Sequence, residues 1–309
     1  MCGTWFEETC YLEKVGVMLR DHLFPQTIDE ALGIMEEHKG RARLIAGGTD
    51  LVADIRRREF DFEVLVDIEK IEELRSIREE DGKILIGSAV TFTELEENEL
   101  IRNNASALAQ AAAQVGSPQV RNRGTIGGNI VSAQPAADGA LALFVFDAVL
   151  KIAEKEGIHE IPITQAYLDI GKSIINPSRE ILVGILLEKR EKGEGSNYQR
   201  VAIRKAMALP ILACGLFMKT IERSVQFARI AIGPVSNTPL RARRAEDFLK
   251  GKPLIEEVFR EAGKIVSEEV APRDSKLRGS AVYRKNLAAV LARRGLERVA
   301  EEIVSGEKL

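Results

Sequence analysis

The sequence is poor in cysteine, histidine and net charge, and each shortage excludes a class of function. Only three cysteines occur among 309 residues, Cys2, Cys10 and Cys214, and none stands in a C-x-x-C pair or beside a histidine. The chain itself therefore encodes neither a zinc site nor an iron–sulfur cluster. The sequence does not exclude a Cys2–Cys10 disulfide, although the composition otherwise predicts a cytoplasmic protein.

The small net charge of −3 gives no reason to expect nucleic acid or an acidic membrane as a partner. The longest apolar run, residues 139–146, is far shorter than the roughly 20 residues that span a membrane. Residues 1–21 have no basic start followed by an apolar core, so they predict a short extension rather than a secretory signal, with Met18 as an alternative start.

Familiar catalytic sets are also missing. The three histidines, His22, His38 and His159, are scattered among polar neighbours and are predicted to lie at the surface. No Ser/His/Asp or Cys/His arrangement, no Walker A motif and no G-x-G-x-x-G fingerprint is found. A protein with binding loops and no acid–base pair suits chemistry carried out by a bound cofactor.

What the chain does have is two glycine-pair segments, each with a threonine and a polar side chain. The first glycine segment (46–51) follows the apolar Leu44-Ile45, and the second (124–129) follows Arg121-Asn122-Arg123. In order, their residues are Ala46, Gly47, Gly48, Thr49, Asp50 and Leu51, and Gly124, Thr125, Ile126, Gly127, Gly128 and Asn129.

Both segments are interpreted as loops that hold a diphosphate from two sides. Glycine lets the backbone approach a ligand closely, and successive amide N–H groups can cradle an anion. Thr49 and Thr125 can donate hydroxyl hydrogen bonds to phosphate oxygens, whereas Asp50 repels phosphate and is expected to accept hydrogen bonds. The alternative is that each glycine pair is a tight turn, that Thr49 caps the next helix, and that Asp138 caps the helix after it.

The pattern predicts alternating helices and strands in the first half of the chain. A capping box from Thr27 to Glu30 opens a helix, and another is expected from Thr93 to Glu96. The remaining predicted elements are strands at 43–46, 64–67 and 83–87, helices at 51–58 and from 91 to 97, and an alanine-rich helix at 104–115 stopped by Gly116. A first subdomain is expected to end near residue 75.

In the second half, the polar and glycine-bearing stretch 188–197 predicts a hairpin tip or linker at a domain boundary. The other predicted elements are strands at 150–153 and 181–187, an antiparallel pair at 213–219 and 226–232, and helices at 254–268 and 280–304.

The two segments resemble the two FAD-binding motifs of the flavin subunit in the xanthine dehydrogenase/carbon monoxide dehydrogenase family, the medium subunits of molybdenum hydroxylases. The similarity extends through Pro135-Ala-Ala-Asp138 and 146–148, resumes at 198–208, and covers roughly residues 22 to 303.

The resemblance implies an α+β fold. It predicts an FAD-binding domain of the vanillyl-alcohol-oxidase/PCMH type at 22–190, divided into subdomains of about 22–75 and 76–190. A C-terminal domain like that of carbon monoxide dehydrogenase flavoproteins would follow at 191–309, with a three-stranded antiparallel sheet and helices.

The resemblance also assigns cofactor-binding residues, and neither a catalytic residue nor a metal ligand. It places 46–51 at the FAD pyrophosphate and 124–129 at the diphosphate and ribityl chain. Asp138 would contact the cofactor, and Leu182 would lie near the flavin or the adenine. Arg200 stands where the family often has a lysine near the flavin, and arginine is not equivalent to lysine.

The function implied is electron transfer. Molybdopterin in a large subunit would oxidise the substrate, two [2Fe–2S] clusters in a small subunit would pass electrons to FAD in this chain, and NAD, oxygen or a quinone would accept them. The alternatives are a stand-alone flavin oxidoreductase and a non-redox nucleotide-binding module.

Overall fold

A computed structural model describes residues 19–57 and 60–306. Cys2 and Cys10, whose pairing the sequence leaves open, and the alternative start at Met18 lie outside these residues. The chain begins with a parallel three-stranded sheet of order β1-β3-β2. Its elements are β1 (Asp21–Leu23), α1 (Ile28–Glu37), β2 (Ala42–Ile45), α2 (Leu51–Arg57) and β3 (Val64–Asp67).

Helix α1 begins where the sequence predicts. The Thr27 hydroxyl accepts a hydrogen bond from the Glu30 amide at 3.1 Å, while the Glu30 carboxylate accepts from the Gln26 amide at 2.7 Å. The apolar side of the helix, with Ala31 and Met35, is buried against this sheet. Strand β1 was not predicted, because three residues are too few to show a period.

An antiparallel five-stranded sheet of order β4-β5-β10-β6-β7 follows, with six short helices inserted between β5 and β6. Its strands and those of a small hairpin are β4 (Ile77–Glu80), β5 (Lys83–Gly87), β6 (Val149–Glu154), β7 (Gly157–Pro162), β8 (Tyr167–Asp169), β9 (Lys172–Ser173) and β10 (Ile181–Glu188). The helices are α3 (Phe92–Glu97), α4 (Glu99–Asn104), α5 (Ser106–Ala112), α6 (Pro118–Arg121), α7 (Ile126–Val131) and α8 (Asp138–Phe144). The largest hydrophobic core lies between this sheet and these helices, and α8 is buried along its whole length.

The last third forms an antiparallel sheet of order β11-β12-β13-β14 packed against three helices. Its elements are β11 (Glu194–Ala202), β12 (Pro210–Ile221), β13 (Ser224–Gly233), β14 (Leu240–Arg241), α9 (Arg243–Leu249), α10 (Glu256–Glu269) and α11 (Ala281–Gly306). The predicted α+β class is confirmed. The C-terminal sheet, expected to have three strands, has three long strands and a fourth of two residues. The predicted pairing of 213–219 with 226–232 is also confirmed.

The helix expected from 91 to 97 is found at Phe92–Glu97, but its predicted capping box and the helix predicted at 104–115 are wrong. The second capping box joins Thr91 to Glu94, not Thr93 to Glu96, because Thr91 is held extended by a bridge to Thr125. The helix expected at 104–115 breaks at Ala105, and α5 starts afresh at Ser106. Ser196 on β11 pairs with this new start, since its hydroxyl accepts from the Ala107 amide at 3.1 Å.

The predicted linker at 188–197 is shorter than expected, because β11 already begins at Glu194. Some of its polar residues form hydrogen bonds inside the protein. Ser106 donates to the Ser196 carbonyl at 2.8 Å, and the Asn197 amide donates to Gln110 Oε1 at 3.0 Å. The last residues of the predicted linker, Ser196 and Asn197, therefore belong to β11 and pair with α5.

Candidate functional site

The first glycine segment leaves the end of β2 and enters α2. Gly48 has φ of +69°, a conformation that glycine adopts at little cost. Within residues 19–57 and 60–306, no acceptor is found for the amide N–H groups of residues 47–51, and the first hydrogen bond of the turn runs from Val52 N to Gly48 O at 3.0 Å. Five consecutive donors at the start of a helix make an anion-binding surface.

The second glycine segment is not a loop as predicted. Residues 126–129 form the first turn of α7, and the Thr125 hydroxyl caps it by accepting from Gly128 N at 3.1 Å. The amides of Ile126 and Gly127 donate to Val90 O and Ser88 O, both at 2.9 Å. These donors are thus occupied by the protein itself, because the segment is packed against the chain that leaves β5.

The two segments are in direct contact. A Cβ atom at Gly47 would lie 1.8 Å from the Arg123 carbonyl oxygen and 3.0 Å from Gly124 Cα. A Cβ atom at Gly124 would in turn lie 3.6 Å from the Thr49 hydroxyl. Only glycine permits this approach at position 47, so both segments form one continuous wall.

An open groove of about 570 Å³ runs along this wall. It is lined by Gly47, Gly48, Thr49, Val52, Ala53, Arg56, Arg57, Gln119, Val120 and Arg123. The Arg123 guanidinium forms two hydrogen bonds with the Glu69 carboxylate, each of 2.7 Å, which hold it at the groove. Free amides together with three arginines are a donor set that fits a diphosphate.

The arginines of the groove were missed at first, although the sequence carried a signal for two of them. Val52, Ala53, Arg56 and Arg57 stand three, four, seven and eight positions after Thr49. That is the spacing of one helix face, so a helix entered from the first segment had to turn these side chains toward it.

Asp138 is buried, and it does not cap α8 as the alternative interpretation held. Ala137 occupies the N-cap position, while the Asp138 carboxylate accepts a hydrogen bond of 2.7 Å from the Tyr198 hydroxyl. Arg200 Nε lies 3.1 Å from the same carboxylate oxygen, as an ion pair that is not aligned as a hydrogen bond. Asp138 therefore joins α8 to β11.

Burial raises the pKa of Asp138 from 3.8 to about 6, while Arg200 and the Tyr198 hydroxyl act in the opposite direction. Burial, and then the Asp138 carboxylate, raise the pKa of Tyr198 well above its ordinary value. The sequence singles out Asp138 but does not show its burial, since its environment comes from a strand 60 positions further along the chain.

The Asp138 cluster adjoins the second glycine segment. Asn129 Oδ1 accepts from the Ala140 amide at 3.0 Å, and a Cβ atom at Gly139 would lie 2.9 Å from Ile126 Cδ1. Helix α8 thus packs closely on α7, and the structure brings Asp138, Arg200 and Asn129 into one region.

Leu182 lies on β10 with its side chain buried in the largest core, 4% exposed. Its strand approaches the second segment through Ser88, whose amide donates to Val183 O at 3.4 Å and whose carbonyl accepts from Gly127. Leu182 itself does not line the groove beside the first segment.

In the two ranges that the structure covers, no group of three or more His, Cys, Asp or Glu side chains is placed to hold a metal ion. Nor does any helix there have the length and apolar character needed to cross a membrane. Cys214, on β12, is buried, and burial raises its pKa above the ordinary value.

Comparison with known proteins gives two domain matches. Residues 18–187 match the FAD binding domain in molybdopterin dehydrogenase, and residues 197–299 match the CO dehydrogenase flavoprotein C-terminal domain. The nicotinate dehydrogenase FAD-subunit of Eubacterium barkeri is 34% identical over 84% of this chain and 89% of its own length. The xanthine dehydrogenase FAD-binding subunit of Escherichia coli O157:H7 is 32% identical over 87% and 91%.

Solved structures agree. A chain of the carbon monoxide dehydrogenase from Hydrogenophaga pseudoflava superimposes with a TM-score of 0.86 at 28% identity, over 92% of this chain and 98% of that one. A chain of quinoline 2-oxidoreductase from Pseudomonas putida 86 gives 0.84 at 25% identity, with the same coverage of both chains. These matches identify a flavoprotein subunit of an oxidoreductase. The chain belongs to the family of FAD-binding subunits of molybdopterin dehydrogenases.

Proposed function

We propose that this chain relays electrons through its FAD, from [2Fe–2S] clusters of a partner subunit to an external acceptor such as NAD, oxygen or a quinone. Molybdopterin and the clusters would belong to a large and a small partner subunit, and a cytoplasmic location stays a prediction. The observation that carries the proposal is the run of amides at residues 47–51 that find no acceptor in the described ranges. Three of these residues, Gly47, Gly48 and Thr49, line a groove with three arginines.

The amides of 47–51 would hold the FAD diphosphate, with Arg56, Arg57 and Arg123 supplying positive charge along the groove. When bound, FAD supplies the exchange of electrons between a donor and an acceptor. The second segment would hold the first segment in place, because Gly124 is packed against Gly47. Its proposed contact with the ribityl chain rests on the side chains of Thr125 and Asn129 and not on its amides.

Asp138 and Arg200 are proposed to position the cofactor region rather than to transfer protons. The carboxylate of Asp138 is already engaged by Tyr198 and Arg200, and only 7% of the residue is exposed. The raised pKa gives a stand-alone flavin oxidoreductase a candidate acid–base group, yet an engaged and buried carboxyl is poorly placed to reach a substrate. Leu182 lies in the core beside α7, and its packing would help to fix the position of the second glycine segment.

The proposed domain limits are 22–190 and 191–309, with a subdomain division near 75. They are supported by the sheets, since the first ends with β3 at Asp67 and the second begins with β4 at Ile77. We expect another subunit to determine which substrate the complex oxidises, because relatives with this type of subunit carry names as different as nicotinate, xanthine and carbon monoxide dehydrogenase.

The test is purification of the full chain with its partner subunits and measurement of its flavin. We expect a yellow protein with about one FAD per chain that oxidises no small substrate alone and is reduced by the iron–sulfur subunit when substrate is added. A colourless chain that stays colourless with added FAD would support the nucleotide-binding alternative. Substrate oxidation by the isolated chain would support the stand-alone oxidoreductase.

A further inference from the structure

Arg123 differs from the other two arginines that line the groove in how its side chain is held. Arg56 and Arg57 lie at the end of α2, and Arg57 forms an ion pair of 3.6 Å with Asp54 of the same helix. An exposed pair of this kind holds a side chain only weakly. Arg123 instead donates two hydrogen bonds of 2.7 Å to the carboxylate of Glu69, which lies 54 positions earlier in the chain. Its guanidinium therefore has a defined position at the groove.

The two hydrogen bonds fix the guanidinium and leave most of its donors for a ligand. Each oxygen of the Glu69 carboxylate accepts from a different terminal nitrogen of Arg123, so the orientation of the guanidinium plane is set as well as its distance. A guanidinium has five N–H groups, and this pair uses two of them. The Arg123 side chain is 56% exposed. A phosphate in the groove can therefore contact Arg123 while Glu69 still holds it.

Glu69 lies in the turn after β3, at the edge of the sheet from which the first glycine segment leaves. Strands β2 and β3 are parallel, and Ile45 on β2 is paired with Asp67 on β3. Ile68 N donates to Ile45 O at 2.9 Å, and Glu69 N donates to Asp67 Oδ1 at 3.0 Å. Ile45 directly precedes the first glycine segment. The Glu69 carboxylate is thus anchored to the same strand end as the amides of residues 47–51.

The main chain of Arg123 is fixed from the other side. Its carbonyl oxygen lies so close to Gly47 that a Cβ atom there would approach to 1.8 Å, and its amide donates to Val120 O at 3.2 Å. Both ends of the residue are therefore held, the main chain by the first glycine segment and the guanidinium by Glu69. The pair also crosses the proposed subdomain division near residue 75, since Glu69 precedes it and Arg123 follows it.

Glu69 has two opposite effects on an anion in the groove. Its negative charge repels phosphate, and on this ground alone its removal would strengthen the binding of FAD. Its hydrogen bonds hold Arg123 in place before the ligand arrives, and a long side chain that must be ordered on binding costs affinity. Because the bidentate pair as a whole is close to neutral, the positions of the remaining N–H groups, rather than net charge, decide its effect on the ligand.

We propose that Glu69 is a positioning residue for the cofactor, which holds the Arg123 guanidinium in place to donate to a diphosphate oxygen of FAD. This inference rests on the proposed function, which assigns positive charge along the groove to Arg123. It adds a residue that does not itself line the groove. It also predicts that removal of a negative charge near the diphosphate weakens FAD binding.

The experiment is a double-mutant cycle on FAD affinity, measured on the chain in its complex after FAD has been removed and is titrated back. Arg123→Gln is expected to raise the Kd about ten-fold or more, because a charged hydrogen bond to phosphate is lost. Glu69→Gln is expected to raise the Kd roughly three- to ten-fold, which corresponds to the cost of ordering one long side chain. In the Arg123→Gln background, Glu69→Gln is expected to change the Kd less than about two-fold, since its effect passes through Arg123.

Two further variants separate position from charge and from folding. Glu69→Asp keeps the charge and shortens the side chain, so it should also weaken FAD binding, and it replaces Glu69→Gln if that variant does not fold. The matched control removes an exposed Arg–Glu pair of 2.6 Å on α10 by Arg260→Gln/Glu256→Gln, and it should leave the Kd unchanged. The melting temperature of the FAD-free protein should fall little in each variant, because exposed ion pairs contribute little to stability.

The other outcomes each overturn a different part of the account. If Glu69→Gln strengthens FAD binding in both backgrounds, its charge acts directly and the positioning proposal is wrong. If it weakens binding equally in both backgrounds, Glu69 has only a structural role. If Arg123→Gln weakens binding and Glu69→Gln does not, the positioning proposal alone fails. If Arg123→Gln leaves the Kd unchanged, the proposed contact of Arg123 with the diphosphate fails as well, whereas reduction of bound FAD by the iron–sulfur subunit tests the electron relay separately.

Discussion

In the first glycine segment the amides of residues 47–51 find no acceptor in the described ranges, whereas in the second segment the amides of residues 126–129 all donate to the protein itself. Both segments contain a glycine pair and a threonine. In the first, Gly48 provides a left-handed turn that leaves donors exposed. In the second, Gly127 allows α7 to pack against Ser88.

The difference shows that one kind of motif serves two physical purposes. A glycine can be needed because a ligand approaches the backbone, or because another part of the chain does. The proposed roles follow from this distinction. The first segment would bind the diphosphate, and the second would pack against the first and hold it in place. Three substitutions test this division, and a fourth tests the buried carboxyl of Asp138.

The largest effect is expected for Gly47→Val, which acts on both segments at once. A Cβ atom would lie 1.8 Å from Arg123 O, so the first segment must move away from the second. We expect almost complete loss of FAD together with a clear drop in melting temperature of the apo protein, measured by flavin release and thermal unfolding. A variant with normal FAD content would show that the contact between the segments is not needed.

Gly127→Ala should mainly destabilise the fold. Its Cβ atom would meet Ser88 Cβ and Ser88 O, each at 2.6 Å, and overpacking of this kind costs about 1–3 kcal/mol. The expected result is a lower melting temperature in the absence of FAD. Gly33→Ala in α1 is the control, because nothing lies within 4 Å of the added atom there. An unchanged apo stability would contradict the supporting role of the second segment.

Gly48→Ala should affect FAD more than stability. The left-handed conformation costs a non-glycine residue about 1–2 kcal/mol, and Gly251→Ala carries the same cost at φ of +74° with open space around it. Gly48→Ala should therefore melt only slightly below Gly251→Ala, because its Cβ atom adds close contacts of 3.1 Å and 3.2 Å to the shared backbone cost. Only Gly48→Ala should weaken FAD binding, by about ten-fold or more, because its Cβ atom presses on Ile45 and Val52 beside the free amides. Equal FAD affinity in both variants would be against the diphosphate assignment.

The fourth prediction concerns the pH dependence of stability. The folded protein holds the Asp138 proton up to a pKa of about 6, above the 3.8 of an exposed aspartate, so folding binds a proton between these values. The contribution of this proton to the free energy of unfolding is therefore fully present below about pH 4 and is lost as the pH rises to about 6. The total change is roughly 3 kcal/mol. Asp138→Asn should remove this slope in urea unfolding of the apo protein, whatever its absolute stability. A slope that persists in the variant would show that another group causes it.

Much of the fold could be predicted from the sequence, because the apolar periods of the longer elements are strong. The strands at 83–87 and 64–67 and the two C-terminal helices lie where the pattern indicates, to within a few residues. Predictions were wrong where a distant residue decides the local structure. Ser196 pairs with the new helix start after the break at Ala105, and the bridge between Thr91 and Thr125 accompanies a capping box that lies two positions before the predicted one.

The same limit applies to the site. The sequence indicates which residues could bind a diphosphate, but not which of their donors are already occupied. The hydrogen bonds of Gly127 to Ser88 and of Tyr198 to Asp138 join residues far apart in the chain. No local pattern contains this information, so the second segment looked like a second phosphate loop.

Amide hydrogen exchange, resolved by residue with and without FAD, distinguishes the roles of the two glycine segments. If the first segment grips the diphosphate, FAD should slow exchange strongly at residues 47–51. The amides of residues 126–129, protected already in the apo protein, should change little. Strong new protection at 126–129 with none at 47–51 would contradict the account.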